Sequence, residues 1–134
     1  PDRAAMGVNV RMLEGDTPES IREELKRKVK DPSIEVELIA GTPPTPVSEI
    51  DCGEWEMLKR AIRRTFKDIP VGPYQLNGGT DSRYYSRISN HVYKFTPMEM
   101  SVEERASVHG ANESISIRNL LKTVMFYKIL IEEL

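Results

Sequence analysis

The first forty residues show two different hydrophobic periods. Apolar residues occupy every second position over residues 5–13 and again over residues 34–38, a period that is typical of a strand with one buried face. Between them, residues 21–29 carry an apolar side chain at every fourth position, which predicts an amphipathic helix. Thr17 and Pro18 predict the start of this helix, because a hydroxyl N-cap and a proline at the first helical position are both favoured. The pattern therefore predicts a β-α-β unit, whose two strands are normally parallel.

Two further helices are predicted later in the chain. Residues 53–67 have one apolar and one basic face, and the basic face is read as a solvated surface in preference to a binding patch because no aromatic residues are interleaved with it. The last helix begins near Ser116 and is apolar nearly all round, which predicts that it is buried or packed on two sides. Residues 73–76 and 91–96 are predicted to form short strands.

A proline-rich segment divides the chain. Residues 41–46 read GTPPTP, and proline fixes φ and removes a backbone donor, so this stretch is expected to be extended and stiff. Such a composition is typical of a boundary between two structural units.

Composition excludes several classes of function. The chain of 134 residues has a formal net charge of -2, which argues against a nucleic-acid partner. It has no apolar run long enough to span a membrane, so no membrane partner is expected. Its single cysteine, Cys52, cannot form an internal disulfide and is compatible with a reducing compartment; a cytoplasmic location is expected.

Two polar features could bind a substrate. Arg11 follows Asn9 on one face of the first predicted strand, where a guanidinium can bind a carboxylate through two hydrogen bonds. The simpler interpretation is an exposed strand face. The second feature is a glycine loop, in which two glycines would let a ligand approach the backbone and three side chains could contact it, although such a sequence is often only a turn. Its candidate residues are Gly78, Gly79, Thr80, Asp81 and Arg83.

A histidine before the last helix could bind a metal or act as a general base. His109 is followed by Gly110 in an irregular stretch. A lone histidine is more often structural, and a zinc site needs at least three protein ligands. Because the chain has only two histidines and one cysteine, it does not contain an obvious complete metal centre.

Taken together, these features resemble a known enzyme family. The stretches NGGTDSRYY (77–85), NHVYKFTP (90–97) and HGANESISI (109–117) are similar to motifs of the zinc metallopeptidases that include carboxypeptidase S, aminoacylase, bacterial glutamate carboxypeptidase and succinyl-diaminopimelate desuccinylase. The likeness is strongest to the carboxypeptidase S and N-acyl-amino-acid hydrolase branch. It extends to PDRA (1–4) and VNVR (8–11), where Pro1 matches the end of the family's Asn-x-Ile-Pro motif.

The resemblance implies an α/β fold in two parts. Residues 1–42 would form the second half of a β-α-β lid (dimerisation) domain, and residues 43–50 would be the proline-rich crossing. Residues 51–134 would form the C-terminal part of the α/β catalytic domain. The family's lid also implies a homodimer, and unpaired strand edges would allow a strand-swapped oligomer.

The resemblance also implies roles for individual residues. His109 would ligate one of two zinc ions, Arg11 would bind the substrate's free carboxylate, and the loop from Gly78 to Asp81 would line the cleft, with Arg83 as a second carboxylate contact. The substrate would be a peptide or an N-acyl amino acid, cleaved by a metal-activated water with a glutamate base. That glutamate and the other ligands precede Pro1 in the family. We therefore expect this chain to be a fragment that is inactive alone, and a non-catalytic, self-associating module is the alternative.

Overall fold

The computed structural model describes residues 2–76 and 78–134. The predictions that involve Pro1 and Asn77 fall outside these residues. The chain divides into two compact units: unit 1 comprises Pro1–Val47 and Gln75–Val92, and unit 2 comprises Ser48–Tyr74 and Tyr93–Leu134. The boundaries implied by the family resemblance, at residues 1–42, 43–50 and 51–134, stay a prediction.

Five helices form the regular structure of the described residues. Unit 1 contains α1 (Pro18–Val29) and the single turn α3 (Ser82–Tyr85), and unit 2 contains α2 (Gly53–Thr65), α4 (Val102–Ser107) and α5 (Ile117–Glu132). In the same part of the chain, no helix is long and apolar enough to cross a membrane.

The predicted α/β fold with a β-α-β lid is wrong. Residues 5–13, 34–38, 73–76 and 91–96 were all expected to be strands, yet no residue in 2–76 or 78–134 is in a strand. Alternation only indicates that a segment could bury one face; a strand also needs a neighbour to satisfy its N–H and C=O groups. Without that neighbour the apolar positions stay in solvent, as Met6 does with 86% of its surface exposed.

Helix α1 begins where the sequence predicted. The Thr17 side chain accepts a hydrogen bond from the Ser20 backbone N–H at 3.0 Å, and the Ser20 hydroxyl accepts one from the Thr17 N–H at 2.9 Å. This reciprocal capping box satisfies two N–H groups that the first turn would otherwise leave without partners. The helix ends at Val29, because the left-handed backbone of the C-cap residue Lys30 (φ 53°) stops the helical hydrogen bonding.

The proline-rich segment packs against the start of α1. Pro18 is the buried residue of this helix, and a Cβ atom added to Gly41 would lie only 2.6 Å from the Cβ of Pro18. Such a distance is shorter than van der Waals contact, so this close approach requires glycine at position 41.

The core of unit 2 lies between α2 and α5. Its buried members come from both helices and from the residue that follows α2: Leu58, Ala61, Ile62, Phe66, Phe126 and Ile129. Ion pairs also link α2 to the end of α5, since Arg60 and Arg64 each lie 2.9 Å from the carboxylate of Glu133, the residue that follows α5. Their hydrogen bonds hold the pKa of Glu133 below its usual value. This helix pair is the structural centre of unit 2.

Helix α5 is not packed on two sides, contrary to the prediction from its apolar sequence. The Ser116 side chain caps its start by accepting from the Asn119 N–H at 3.2 Å, as expected. Its only buried apolar residues among those described are Phe126 and Ile129, whereas Leu121 and Val124 are about two thirds exposed, at 64% and 60%. One side faces α2 and the other carries apolar side chains in solvent.

Candidate functional site

Arg11 lies in an irregular segment of unit 1. Its side chain is exposed, and no carboxylate of the described residues lies within 4.0 Å of its guanidinium. The charge is therefore available to an anion in solution. The strand that was expected to hold Arg11 rigidly is absent. The predicted positive charge is therefore exposed, but no regular secondary structure fixes its position.

The glycine loop of unit 1 leads directly into α3. Residues 78–81 are not helical, and Gly79, Thr80 and Asp81 are exposed. The Thr80 hydroxyl accepts a hydrogen bond from the Ser82 N–H at 3.2 Å, and the Thr80 carbonyl accepts one from the Arg83 N–H at 3.3 Å. These bonds make a compact turn, and they leave the side chain of Asp81 directed to solvent.

Arg83 has an aromatic neighbour. Its guanidinium carbon lies 5.0 Å from the centroid of the Tyr84 ring, and its Nη2 donates to the Tyr84 hydroxyl at 3.1 Å. Arg87 approaches the same ring at 5.8 Å. Both distances are within the range of cation–π attraction. Arg83 was a candidate from the sequence and Arg87 was not, although a spacing of four residues places both on one side of a helical turn.

His109 follows α4 in unit 2 and has an unusual backbone. Its φ is 63°, a left-handed conformation that costs a non-glycine residue about 1–2 kcal/mol. The Glu113 carboxylate accepts a hydrogen bond from the His109 N–H at 3.0 Å and helps to hold this turn. The side chain itself is exposed.

The described residues around His109 do not build a zinc site. Structural and catalytic zinc sites use three or four protein ligands. His109 belongs to no group of three histidine, cysteine, aspartate or glutamate side chains with ligand atoms within 4.8 Å of one another in the described part of the chain. His109 can thus provide one ligand, and no catalytic step through a metal is assigned to it.

One polar cluster was not recognised from the sequence as a structural unit. The Tyr93 hydroxyl donates to the Glu49 carbonyl at 2.6 Å and lies 3.1 Å from the Cys52 Sγ. Burial, together with the Cys52 contact, raises the pKa of Tyr93. Because Cys52 is the N-cap residue of α2, the cluster anchors the start of that helix. Only the tertiary fold could reveal this contact, since the residues are 41 positions apart.

Sequence comparison identifies the family. The sequence model of the family described as "Peptidase family M20/M25/M40" matches residues 2–133 of this chain. The chain belongs to this peptidase family. The predicted resemblance to the carboxypeptidase S and acyl-amino-acid hydrolase branch is confirmed by the relatives that the M20 chain matches.

Three relatives illustrate the relationship. Probable carboxypeptidase S-like 1 of Dictyostelium discoideum is 32% identical over 98% of this chain and 27% of its own length. N-fatty-acyl-amino acid synthase/hydrolase PM20D1.1 of Danio rerio is 32% identical over 95% of this chain and 25% of its own length. Carboxypeptidase S of Saccharomyces cerevisiae is 23% identical over 69% of this chain and 18% of its own length. The M20 chain thus spans about a quarter of the length of the first two relatives. No solved structure matches it significantly.

Proposed function

We propose that this M20 chain is part of a metal-dependent hydrolase that cleaves peptides or N-acyl amino acids at the amide bond next to a free carboxylate. The observation that carries the proposal is the family match over residues 2–133. The names of the relatives, probable carboxypeptidase S-like 1 and N-fatty-acyl-amino acid synthase/hydrolase PM20D1.1, support a substrate built on an amino acid.

In this proposal the residues of unit 1 recognise the substrate. Arg11 binds the free carboxylate, because its guanidinium is exposed and without an ionic partner among the described residues. The loop from Gly78 to Asp81, which is exposed at residues 79–81, lines the cleft, and Arg83 provides a second carboxylate contact.

Metal binding in this proposal involves two zinc ions, of which His109 ligates one. Bound zinc would polarise the amide carbonyl and activate a water molecule. We propose that the remaining ligands and the glutamate base lie outside these 134 residues, so that the isolated chain has no activity. The residues of this chain then bind and orient the substrate and perform no proton transfer.

A substrate pair tests the function. We expect the complete gene product, loaded with zinc, to hydrolyse N-acetyl-leucine and to act poorly on N-acetyl-leucinamide, which has no carboxylate. Arg11→Ala should raise KM for N-acetyl-leucine by about tenfold to a hundredfold, since a charged hydrogen bond contributes ~1.5–3 kcal/mol. Steady-state kinetics on both substrates provide the measurement.

The matched control is Arg27→Ala, which removes an arginine that is 75% exposed on the surface of α1. It should leave KM unchanged. An unchanged KM in Arg11→Ala would remove Arg11 from the site, and failure of the zinc-loaded product to hydrolyse any N-acyl amino acid or dipeptide would refute the proposed function.

A second candidate function is self-association through α5. Ile117, Val124 and Ile131 recur every seven residues, and Leu120 and Tyr127 occupy the intermediate positions. All five are exposed in the structure. β-branched residues at the first position of a heptad and leucine at the fourth are typical of two-stranded coiled coils. We propose a second copy of this chain as the partner, which a measurement of oligomeric state tests.

A further inference from the structure

His109 is held by its backbone and not by its side chain. In the described part of the chain, the exposed imidazole has no hydrogen-bond or ion-pair partner, so the direction in which it leaves the chain depends on the backbone. We propose that Glu113 is a positioning residue for His109, because its carboxylate closes a turn over residues 109–113 and fixes that direction. This inference rests on the proposed function, in which His109 ligates a metal ion, and adds a residue that has no role there.

The hydrogen bond between Glu113 and His109 is the contact that carries this proposal. Oε2 of Glu113 accepts from the His109 N–H at 3.0 Å. The Glu113 N–H in turn donates to the Gly110 carbonyl at 3.4 Å. Two hydrogen bonds therefore close the same short segment, one through the side chain of Glu113 and one through its backbone.

The left-handed backbone of His109 needs such support. Its φ is 63°, whereas a residue with a Cβ atom normally prefers the right-handed helical and extended regions. A hydrogen bond to an ionised carboxylate is stronger than one between neutral groups, and this one requires residues 109 and 113 to lie close together. The bond to Glu113 therefore offsets the backbone strain and favours the left-handed conformation.

Helix α4 fixes the other side of the turn. The Gly110 N–H donates to the Ser107 carbonyl at 2.8 Å, and the Ser107 hydroxyl donates to the Glu104 carbonyl at 2.8 Å. A Cβ atom added to Gly110 would lie 2.9 Å from the Ser107 carbonyl oxygen, which is shorter than a van der Waals contact, so the turn is tight here. His109 thus lies between the end of α4 and Glu113, and the carboxylate of Glu113 is the contact that a substitution can remove alone.

The first experiment measures the backbone of His109 without any metal. In the 134-residue chain, NMR relaxation should give the His109 amide an order parameter of about 0.85, as in rigid backbone. Glu113→Ala should lower this value below about 0.6, the range of flexible backbone, because the carboxylate is lost. Glu113→Gln should restore most of the order, since its side-chain carbonyl can accept the same hydrogen bond.

Asn112→Ala is the matched control, because it shortens the preceding exposed side chain of the same turn. It should leave the His109 amide as ordered as in the unaltered chain. The urea midpoint of Glu113→Ala should also be unchanged, since the core of unit 2 lies between α2 and α5. A high order parameter in Glu113→Ala, or an equal fall in Asn112→Ala, would overturn the inference and leave the proposed function intact.

The second experiment measures zinc binding by the complete gene product. Glu113→Ala should weaken the binding of one zinc ion about tenfold to a hundredfold in competition with a chelator, which is typical of losing an outer partner of a metal ligand. Glu113→Gln should bind zinc nearly as tightly as the unaltered protein. Unchanged zinc affinity in Glu113→Ala would overturn the positioning role. Full zinc occupancy in His109→Asn would instead refute His109 as a ligand, and the order parameters would still decide whether Glu113 fixes its backbone.

Discussion

At the scale of single residues, the candidate side chains differ in how the structure holds them. Arg11 is exposed in an irregular segment, whereas Arg83 is restrained by the Tyr84 ring and hydroxyl. His109 is held through its backbone, which is left-handed and bonded to Glu113. A recognition residue needs a defined position, so Arg83 and His109 are better prepared locally than Arg11.

His109 provides a prediction at this scale. His109→Asn removes the imidazole and keeps a residue that tolerates the left-handed backbone better than most. In the complete gene product we expect this variant to lose about one zinc ion per chain, because one ligand of a three- or four-ligand site is gone. Elemental analysis after dialysis measures the loss.

The control for this experiment is Asn112→Ala, a nearby exposed position that should retain the zinc content of the unaltered protein. Full zinc occupancy in His109→Asn would contradict the assignment of His109 as a ligand.

At the scale of elements, the helices were more predictable than the strands. The starts of α1 and α5 were expected at Thr17 and Ser116, and both side chains accept the capping hydrogen bonds. These signals are local, since the cap and its donor are three residues apart. Strands need partners that are distant in the sequence, and an alternating pattern contains no information about whether such a partner is present.

Phe126 gives a prediction about the α2 and α5 pair. It is the fully buried large side chain of the core, with 2% of its surface exposed, and its ring lies 5.1 Å from that of Phe95. Phe126→Ala should lower the free energy of unfolding by about 3–5 kcal/mol, because it removes apolar contacts and leaves a cavity. Urea unfolding of the 134-residue chain, followed by circular dichroism, provides the measurement.

Tyr127→Ala is the matched control, since it removes the neighbouring aromatic ring at a position that is 47% exposed. We expect Tyr127→Ala to lower the free energy of unfolding by less than half as much as Phe126→Ala does. Equal losses in the two variants would show that α5 does not pack as the structure describes.

At the scale of the whole molecule, the outstanding feature is apolar surface that this chain does not cover. Val124 on the heptad seam of α5 is 60% exposed and Met125, one position off the seam, is 47% exposed. If a second copy binds the seam, Val124→Glu should shift the chain from dimer to monomer, because it would place a charge in an apolar interface. Light scattering coupled to size-exclusion chromatography measures the mass.

Met125→Glu introduces the same charge beside the seam and should leave the dimer intact. A monomer in the unaltered chain at concentrations around 100 μM would rule out the self-association candidate, and an equal shift in both variants would place the interface elsewhere.

The sequence by itself determined the family, the starts of α1, α2 and α5, and the residue types available for chemistry, because these depend on local order and on motifs. It did not predict the short helices α3 and α4. The tertiary structure decided which side chains are buried and which segments pair. In the structure, residues 5–13 and 34–38 have no strand partners. The Cys52 thiol lies within hydrogen-bond distance of the Tyr93 hydroxyl, and one side of α5 is exposed. The burial of side chains and the pairing of strands depend on contacts between residues that are distant in the sequence. Apolar periodicity shows only which face of a segment could make such contacts.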